Sequence, residues 1–233
     1  MRKTILALAL GSLISTTSAI EVYDNTEVYG SVEATTDYVF RGVSQNNEDI
    51  SVLTTVGIEH KGFYVEGFVA PVEANGSNYK FDTTAGYTDN VDDFTYNMGV
   101  VGYWYPGSNN DLDFYEFFGG LSYDFDVVNV GGDFNYSPDY YGNVGNNTYW
   151  HGYVEADPFW DITWTLGAGY NDLLDADNVD GITDWEFSAE KKFMDDSFGV
   201  KLAYYDTDLS VSDFELDNIF SERAVLSGTV YFK

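Results

Sequence analysis

The sequence predicts an all-β protein: a transmembrane, antiparallel, up-and-down β-barrel of about twelve strands. Three observations point there. Short stretches alternate apolar and polar residues with period two. The connections between them alternate between tight turns and longer acidic loops. A chain with 39 Asp and Glu against 10 Lys and Arg still carries a continuous apolar face on strand after strand.

The first 19 residues, MRKTILALALGSLISTTSA, place Arg2 and Lys3 before an apolar run and end on small residues. This is the pattern of a secretory signal peptide cleaved after Ala19, and the run is too short for a membrane anchor. Residues 20–233 are then the barrel, with 8 bases against 39 acids and a net charge of −31. Such acidity excludes nucleic acid as a partner. The 42 aromatic residues (20 Tyr, 17 Phe, 5 Trp) argue against disorder, and the absence of cysteine excludes disulfides. No later run is apolar for the ~18 residues that a spanning helix needs, so any crossing is made by strands.

Twelve strand-like stretches follow, at about 27–40, 50–60, 62–70, 78–87, 93–105, 112–124, 126–136, 148–156, 161–170, 183–192, 196–206 and 221–232. Pro71, Pro106, Pro138 and Pro158 all fall between them, where a missing N–H does no harm. Tight connections occur at Lys61, Thr88–Asp92, Phe125, Asp157–Trp160 and Phe193–Asp195. Longer ones occur at Gly42–Asp49, Pro71–Ser77, Pro106–Asp111, Pro138–Asn147, Asp172–Gly181 and Thr207–Asn218. Short periplasmic turns and long extracellular loops are the signature of an outer-membrane barrel.

The faces settle which way each strand points. In DITWTLGAGY (161–170) one face is Ile162, Trp164, Leu166, Ala168 and Tyr170, and the other is Thr163, Thr165, Gly167 and Gly169. Apolar faces of the same kind include Tyr38 and Phe40 at the end of the first strand, with aromatics gathered near strand ends as bilayer girdles require. Leaving out a few strand-end charges such as Glu27, Asp93 and Lys192, the opposite face carries twelve acids, Glu33, Asp37, Glu59, Glu66, Asp82, Glu116, Asp124, Asp133, Glu155, Asp184, Glu186 and Glu190, and four bases, Arg41, Lys80, Lys201 and Arg223. A dry core would not tolerate so many charges, whereas a water-filled lumen does. A soluble acidic β-sandwich explains the alternation equally well, but not the girdles, the two loop classes or the C-terminal strand.

Five segments resemble the TorF-type porin family, Gram-negative outer-membrane β-barrel proteins catalogued as conserved hypothetical proteins. They are DYVFRGVSQ (37–45), GFYVEGF (62–68), AGYTDN (85–90), YWYPG (103–107) and YEFFGGLSYDF (115–125), with DYVFRG the most specific. The resemblance covers most of residues 28–130 and implies an outer-membrane barrel with a suspected pore role. One departure is Lys233 behind Phe232, since such barrels typically finish on an aromatic residue.

Catalytic and metal chemistry find little support. His60 reads as a polar turn residue. His151 lies on the lumen face between Tyr149 and Tyr153, and no Ser neighbours either histidine in sequence. DADNVDG (175–181) places Val179 and Asp180 where a calcium loop needs a ligand and a glycine. GSNN and GNVGNN read as turns. No enzyme activity, cofactor or metal is expected.

The expected function is passive diffusion of small solutes, cation-preferring, through a pore lined by Glu33, Asp37, Arg41, Glu66, Lys80, Asp82, Glu116, Asp133, Glu155, Glu186, Lys201 and Arg223. Glu33, Glu66 and Lys201 fall nearest mid-height, and Lys80, Lys201 and Arg223 can pair with Asp82, Glu66 or Glu186. The alternative is a closed barrel plugged by lumen-side bulk such as Tyr29, Tyr64, Tyr103 and Phe118, with a structural or surface-interaction role. Expected partners are outer-membrane lipid and lipopolysaccharide, the barrel-assembly machinery, and small solutes or cations.

Overall fold

The computed structural model describes residues 20–23, 25–109, 111–174, 181–208 and 219–232. The expected signal peptide, Lys233, most of Asp175–Gly181 and most of Thr207–Asn218 lie outside the described residues.

The strands are β1 (Ile20–Tyr23), β2 (Thr26–Thr35), β3 (Val39–Phe40), β4 (Val43–Ser44), β5 (Ser51–His60), β6 (Phe63–Ala74) and β7 (Ser77–Val91). They continue as β8 (Phe94–Trp104), β9 (Phe114–Asp124), β10 (Val128–Ser137), β11 (Asn147–Ala156), β12 (Ile162–Leu173), β13 (Ile182–Phe193), β14 (Phe198–Thr207) and β15 (Arg223–Phe232). Among the described residues, β2 and β5 to β15 form one closed barrel of twelve antiparallel strands. Each pairs with its neighbour in the chain once β3 and β4 are set aside, and β15 closes onto β2 from Ser227↔Thr35 to Phe232↔Gly30. Where β15 ends, β1 continues the ladder on β2 through Ile20↔Val28 and Glu21↔Glu27. Closure satisfies every ladder without an open edge, the condition for strands in lipid. No described helix is long and apolar enough to cross a membrane.

Leu166 is 60% exposed and Thr165 only 8%, so the greasy face of DITWTLGAGY points outward. The same holds for Val56, Leu121, Leu202, Leu226 and Val230, all exposed. Aromatic pairs ring both ends: Phe63–Tyr87 and Phe94–Tyr123 near the short turns, Tyr115–Phe117 and Phe134–Trp150 near the long loops. An apolar belt between aromatic girdles is what a bilayer selects. The molecule's own apolar cluster is inside, around Tyr38, Tyr64, Val101, Tyr103, Leu112, Phe114 and Phe118.

Two expectations are corrected. The first strand does not run to Phe40: β2 stops at Thr35, and residues 37–46 turn into the lumen instead of projecting from the long-loop end. Tyr38, expected to face lipid, is 7% exposed with its ring 5.8 Å from that of Phe68 on β6. The strand leaves the sheet because Thr35 Oγ1 donates to Asp37 O (2.8 Å) and Arg223 holds the Asp37 carboxylate inside. Pro71–Ser77 is also not a loop. β6 and β7 extend through it to a two-residue turn at Asn75 and Gly76, both with positive φ, as tight hairpins favour. Pro71 therefore lies within β6, just beyond the last β5–β6 pair, Thr54↔Val69, and beside a register shift in the β6–β7 ladder.

The inside-out pattern gives a direct test. Leu202→Arg places a charge on the lipid face of β14, and about 2–4 kcal/mol of stability should be lost, measured by urea unfolding from phospholipid vesicles. Thr163→Lys, on the lumen face beside its pair partner Glu190, should stay within about 1 kcal/mol of wild type.

Candidate functional site in an occluded lumen

Inward positions of the barrel carry Glu33 on β2, Glu66 on β6, Lys80 and Asp82 on β7, Glu116 on β9 and Asp133 on β10. They continue with Glu155 on β11, Glu186 on β13, Lys201 on β14 and Arg223 on β15. Asp37 and Arg41 are also inside, but on the β3–β4 hairpin and not on a barrel strand.

That hairpin reverses at Arg41 and Gly42, with φ of 50° and 77°. Both residues sit in the left-handed region that a two-residue hairpin loop requires. For Arg41 this costs of order 1 kcal/mol. Gly42 has a second reason to lack a side chain. A Cβ there would come within 2.5 Å of Thr207 Cγ2 and 2.7 Å of Asp184 Cβ, so the turn abuts the β13–β14 wall.

From this turn Arg41 crosses to β9 and makes a bidentate pair with Glu116, Nη1–Oε1 2.9 Å and Nη2–Oε2 2.7 Å. Glu116 is fully buried and also accepts from Tyr103 Oη at 3.0 Å. The guanidinium lies 4.1 Å from the Tyr149 ring centroid and 4.8 Å from that of Phe40. Burial opposes its charge, but Glu116 outweighs that and holds the Arg41 pKa well above its ordinary value. At the hairpin's base, Arg223 Nη1 donates to Asp37 Oδ2 (2.9 Å) and Ser44 Oγ to Asp37 Oδ1 (2.7 Å). Backbone bonds from Gln45 N to Tyr38 O and from Glu73 N to Gln45 O fasten it to itself and to β6.

Beside the hairpin, the Lys80 ammonium is fully buried among four rings, Phe40 at 4.5 Å, Tyr103 at 5.1 Å, Tyr38 at 5.3 Å and Phe68 at 5.8 Å, with Asp82 at 3.2 Å. Above it the connection between β10 and β11 also leans inward. Tyr140 packs on Phe114 at 4.8 Å and Tyr141 on Tyr105 at 5.3 Å. Sequence reasoning did not single out Tyr140, Tyr141 or Tyr105. Two adjacent tyrosines within a segment rich in Gly, Asn and Pro, and a third just before Pro106, were the available signal.

Two of the expected pairings form, Lys80–Asp82 and Lys201–Glu186 (2.9 Å). Arg223 pairs with Asp37 rather than Glu66 or Glu186, because the hairpin delivers Asp37 to it. His151 Nδ1 is 3.4 Å from Asp133 Oδ2, and its ring stacks between Tyr149 and Tyr153. His60 meets Thr26 Oγ1 at an exposed turn. Glu33, Glu66 and Lys201 line a cavity beneath the hairpin, while the side chains of Arg41 and Lys80 are buried beside it. Charged side chains on opposite walls of a closed barrel can select solutes by sign and size. A chain segment folded across the lumen narrows that path.

A family model described as a bacterial protein of unknown function (Gcw_chp) matches residues 20–227. The chain belongs to this family. A search of curated proteins finds no match to the Gcw_chp chain. Among solved structures it is similar to the KdgM porin, with a TM-score of 0.60 at 10% identity, covering 88% of this chain and 98% of that one. A second KdgM structure, in complex with disordered oligogalacturonate, gives 0.59 at 10% identity over 89% and 98%. The NanC porin gives 0.58 at 16% identity over 88% and 99%. These identities establish a shared fold, that of outer-membrane porin barrels, and nothing finer.

Removing one partner of a buried ion pair strands the other. Arg41→Ala should therefore destabilise the barrel by about 3–5 kcal/mol in urea unfolding. The double variant Arg41→Ala, Glu116→Ala should cost less than the sum of the singles, with a coupling of about 1–3 kcal/mol.

Proposed function

We propose that this protein is a channel of the Gram-negative outer membrane, exported by cleavage of residues 1–19, through which small cationic solutes diffuse passively. The observation that carries the reading is the charge of the lumen. Within a barrel whose outside is apolar, the inward positions and the hairpin hold twelve acids and four bases once strand-end charges such as Glu27 and Lys192 are set aside. Rings of acidic groups favour cations in a pore. Twelve strands lie between the eight that side chains can fill and the ~16–18 of wide aqueous porins, so side chains decide what passes. No covalent chemistry is invoked.

The resemblance to TorF-type porins and the fold shared with KdgM and NanC support a pore. The oligogalacturonate of the KdgM complex is a polyanion, a ligand that this acidic lumen would repel, so the likeness of fold is not extended to it. Lipid, lipopolysaccharide and the assembly machinery follow as partners from the proposed location.

A second reading is favoured by one specific observation, the β3–β4 hairpin lying across the lumen. On that reading the barrel is permanently plugged and serves a structural or surface role.

Conductance of the folded barrel in a planar bilayer under a KCl gradient separates them. The channel reading expects discrete steps with a cation-selective reversal potential. Glu33→Gln and Glu66→Gln should each move that potential toward zero, and Arg41→Ala should raise conductance several-fold. Silence from both wild type and Arg41→Ala, each shown to be folded, would overturn the channel in favour of the plugged barrel.

A further inference from the structure

Beneath the hairpin the lumen opens into a cavity of about 100 Å³. Its roof is residues 37–40, and its walls come from β2, β5 to β8 and β13 to β15. The charges that face it do not balance. Asp37 pairs with Arg223 and Lys201 with Glu186, while Asp82 meets Lys80 through Oδ2 alone. Glu33, Glu66 and Glu190 line the same space and form no ion pair among the described residues.

Glu66 and Glu190 are built in rather than left at a rim, while the half-buried Glu33 is hydrogen-bonded by Ser227 and Thr229. Glu66 is 7% exposed, and its one hydrogen bond comes from Tyr29 Oη to Oε2 at 3.3 Å, which leaves Oε1 without a protein donor. Glu190 is equally buried and accepts from Tyr231 Oη on Oε1 at 3.0 Å, which leaves Oε2 free. Asp82, beside Glu66 on the adjoining strand, has Oδ1 buried and unpartnered. Of these oxygens Asp82 Oδ1 is withdrawn from bulk water without a donor among the described residues, which costs free energy that a cationic ligand would return.

The apolar part of the cavity completes the chemistry. Tyr38, Phe40 and Phe68 line the roof and one wall. These same rings already surround one alkylammonium, that of Lys80, at 4.5–5.8 Å. A hydrated metal ion gains little from such rings, whereas an alkyl chain ending in an ammonium group gains from both rings and carboxylates.

We propose that this cavity is a binding site for alkylammonium solutes, aliphatic diamines in particular. One ammonium is held by Glu66 and Asp82, the other by Glu33 and Glu190, and the methylene chain lies along the aromatic roof. The proposal rests on the channel reading only for how the solute arrives.

The test is calorimetric titration of cadaverine into the folded, full barrel in detergent at physiological salt. Folding is checked by heat-modifiable gel mobility. Saturable one-site binding is expected, with none for the uncharged diol of the same chain length. Glu33→Gln and Glu66→Gln should each weaken binding at least about tenfold, the loss of one charge-assisted hydrogen bond. No saturable heat with cadaverine, equal binding of the diol, or unchanged affinity in both folded variants would overturn the site. Should a variant not fold, the diol comparison on the wild-type barrel still decides. A silent bilayer with saturable cadaverine binding refutes the channel and keeps the site. A conducting barrel that binds no cadaverine does the reverse.

Discussion

The bidentate contact between Arg41 and Glu116 ties a segment that belongs to no barrel strand to the far wall of the lumen. Its geometry explains several otherwise costly features. A non-glycine residue is held at positive φ, a glutamate is fully buried, and an arginine is enclosed between two aromatic rings. Each is unfavourable alone. Together they satisfy one another, because the guanidinium fork matches the carboxylate, and Tyr103 donates a further bond. In a soluble protein such a pair would compete with an apolar core. Inside a barrel whose exterior is apolar, the polar residues have nowhere else to go.

The hairpin divides the lumen into two regions of different character. Toward β6 to β9 the space is filled with rings, from Tyr64 and Phe118 up to Tyr103, Phe114 and Tyr105. Toward β13, β14, β15 and β2 it stays open and acidic. The filled region gives the hairpin a surface to pack against, since Tyr38 and Phe40 dock on Phe68 and Tyr103. The open region leaves a cavity lined by Glu33, Glu66 and Glu190. A barrel with only the first would be a plug, and with only the second a featureless hole.

Most of the barrel was legible in the sequence because lipid outside and water inside impose a period-two code on every spanning strand. The stretches expected at 50–60 and 183–192 are β5 (Ser51–His60) and β13 (Ile182–Phe193), and Leu166 and Thr165 face as their alternation required. The hairpin was not legible, for the same reason. Asp37, Val39 and Arg41 keep the alternation going, so a strand that continues and one that leaves the sheet read alike. What diverts the chain is long-range: Arg223 lies 186 residues from Asp37, and Glu116 lies 75 from Arg41. No local pattern encodes such a contact. The segment DYVFRGVSQ stood out as the most family-specific stretch, and it is the segment that crosses the lumen. Pro71 misled in a similar way, because a proline is admissible in a strand where the neighbouring ladder has already ended.

The central claim is that residues 37–46 reside inside the barrel. Amide hydrogen exchange on the folded protein in lipid nanodiscs tests it most directly. If the hairpin is docked as described, the amides of Ser44 and Gln45, which donate to Ile219 O and Tyr38 O, should exchange as slowly as those of β5. Exchange across 37–46 at the rate of an open solvated loop would contradict the account.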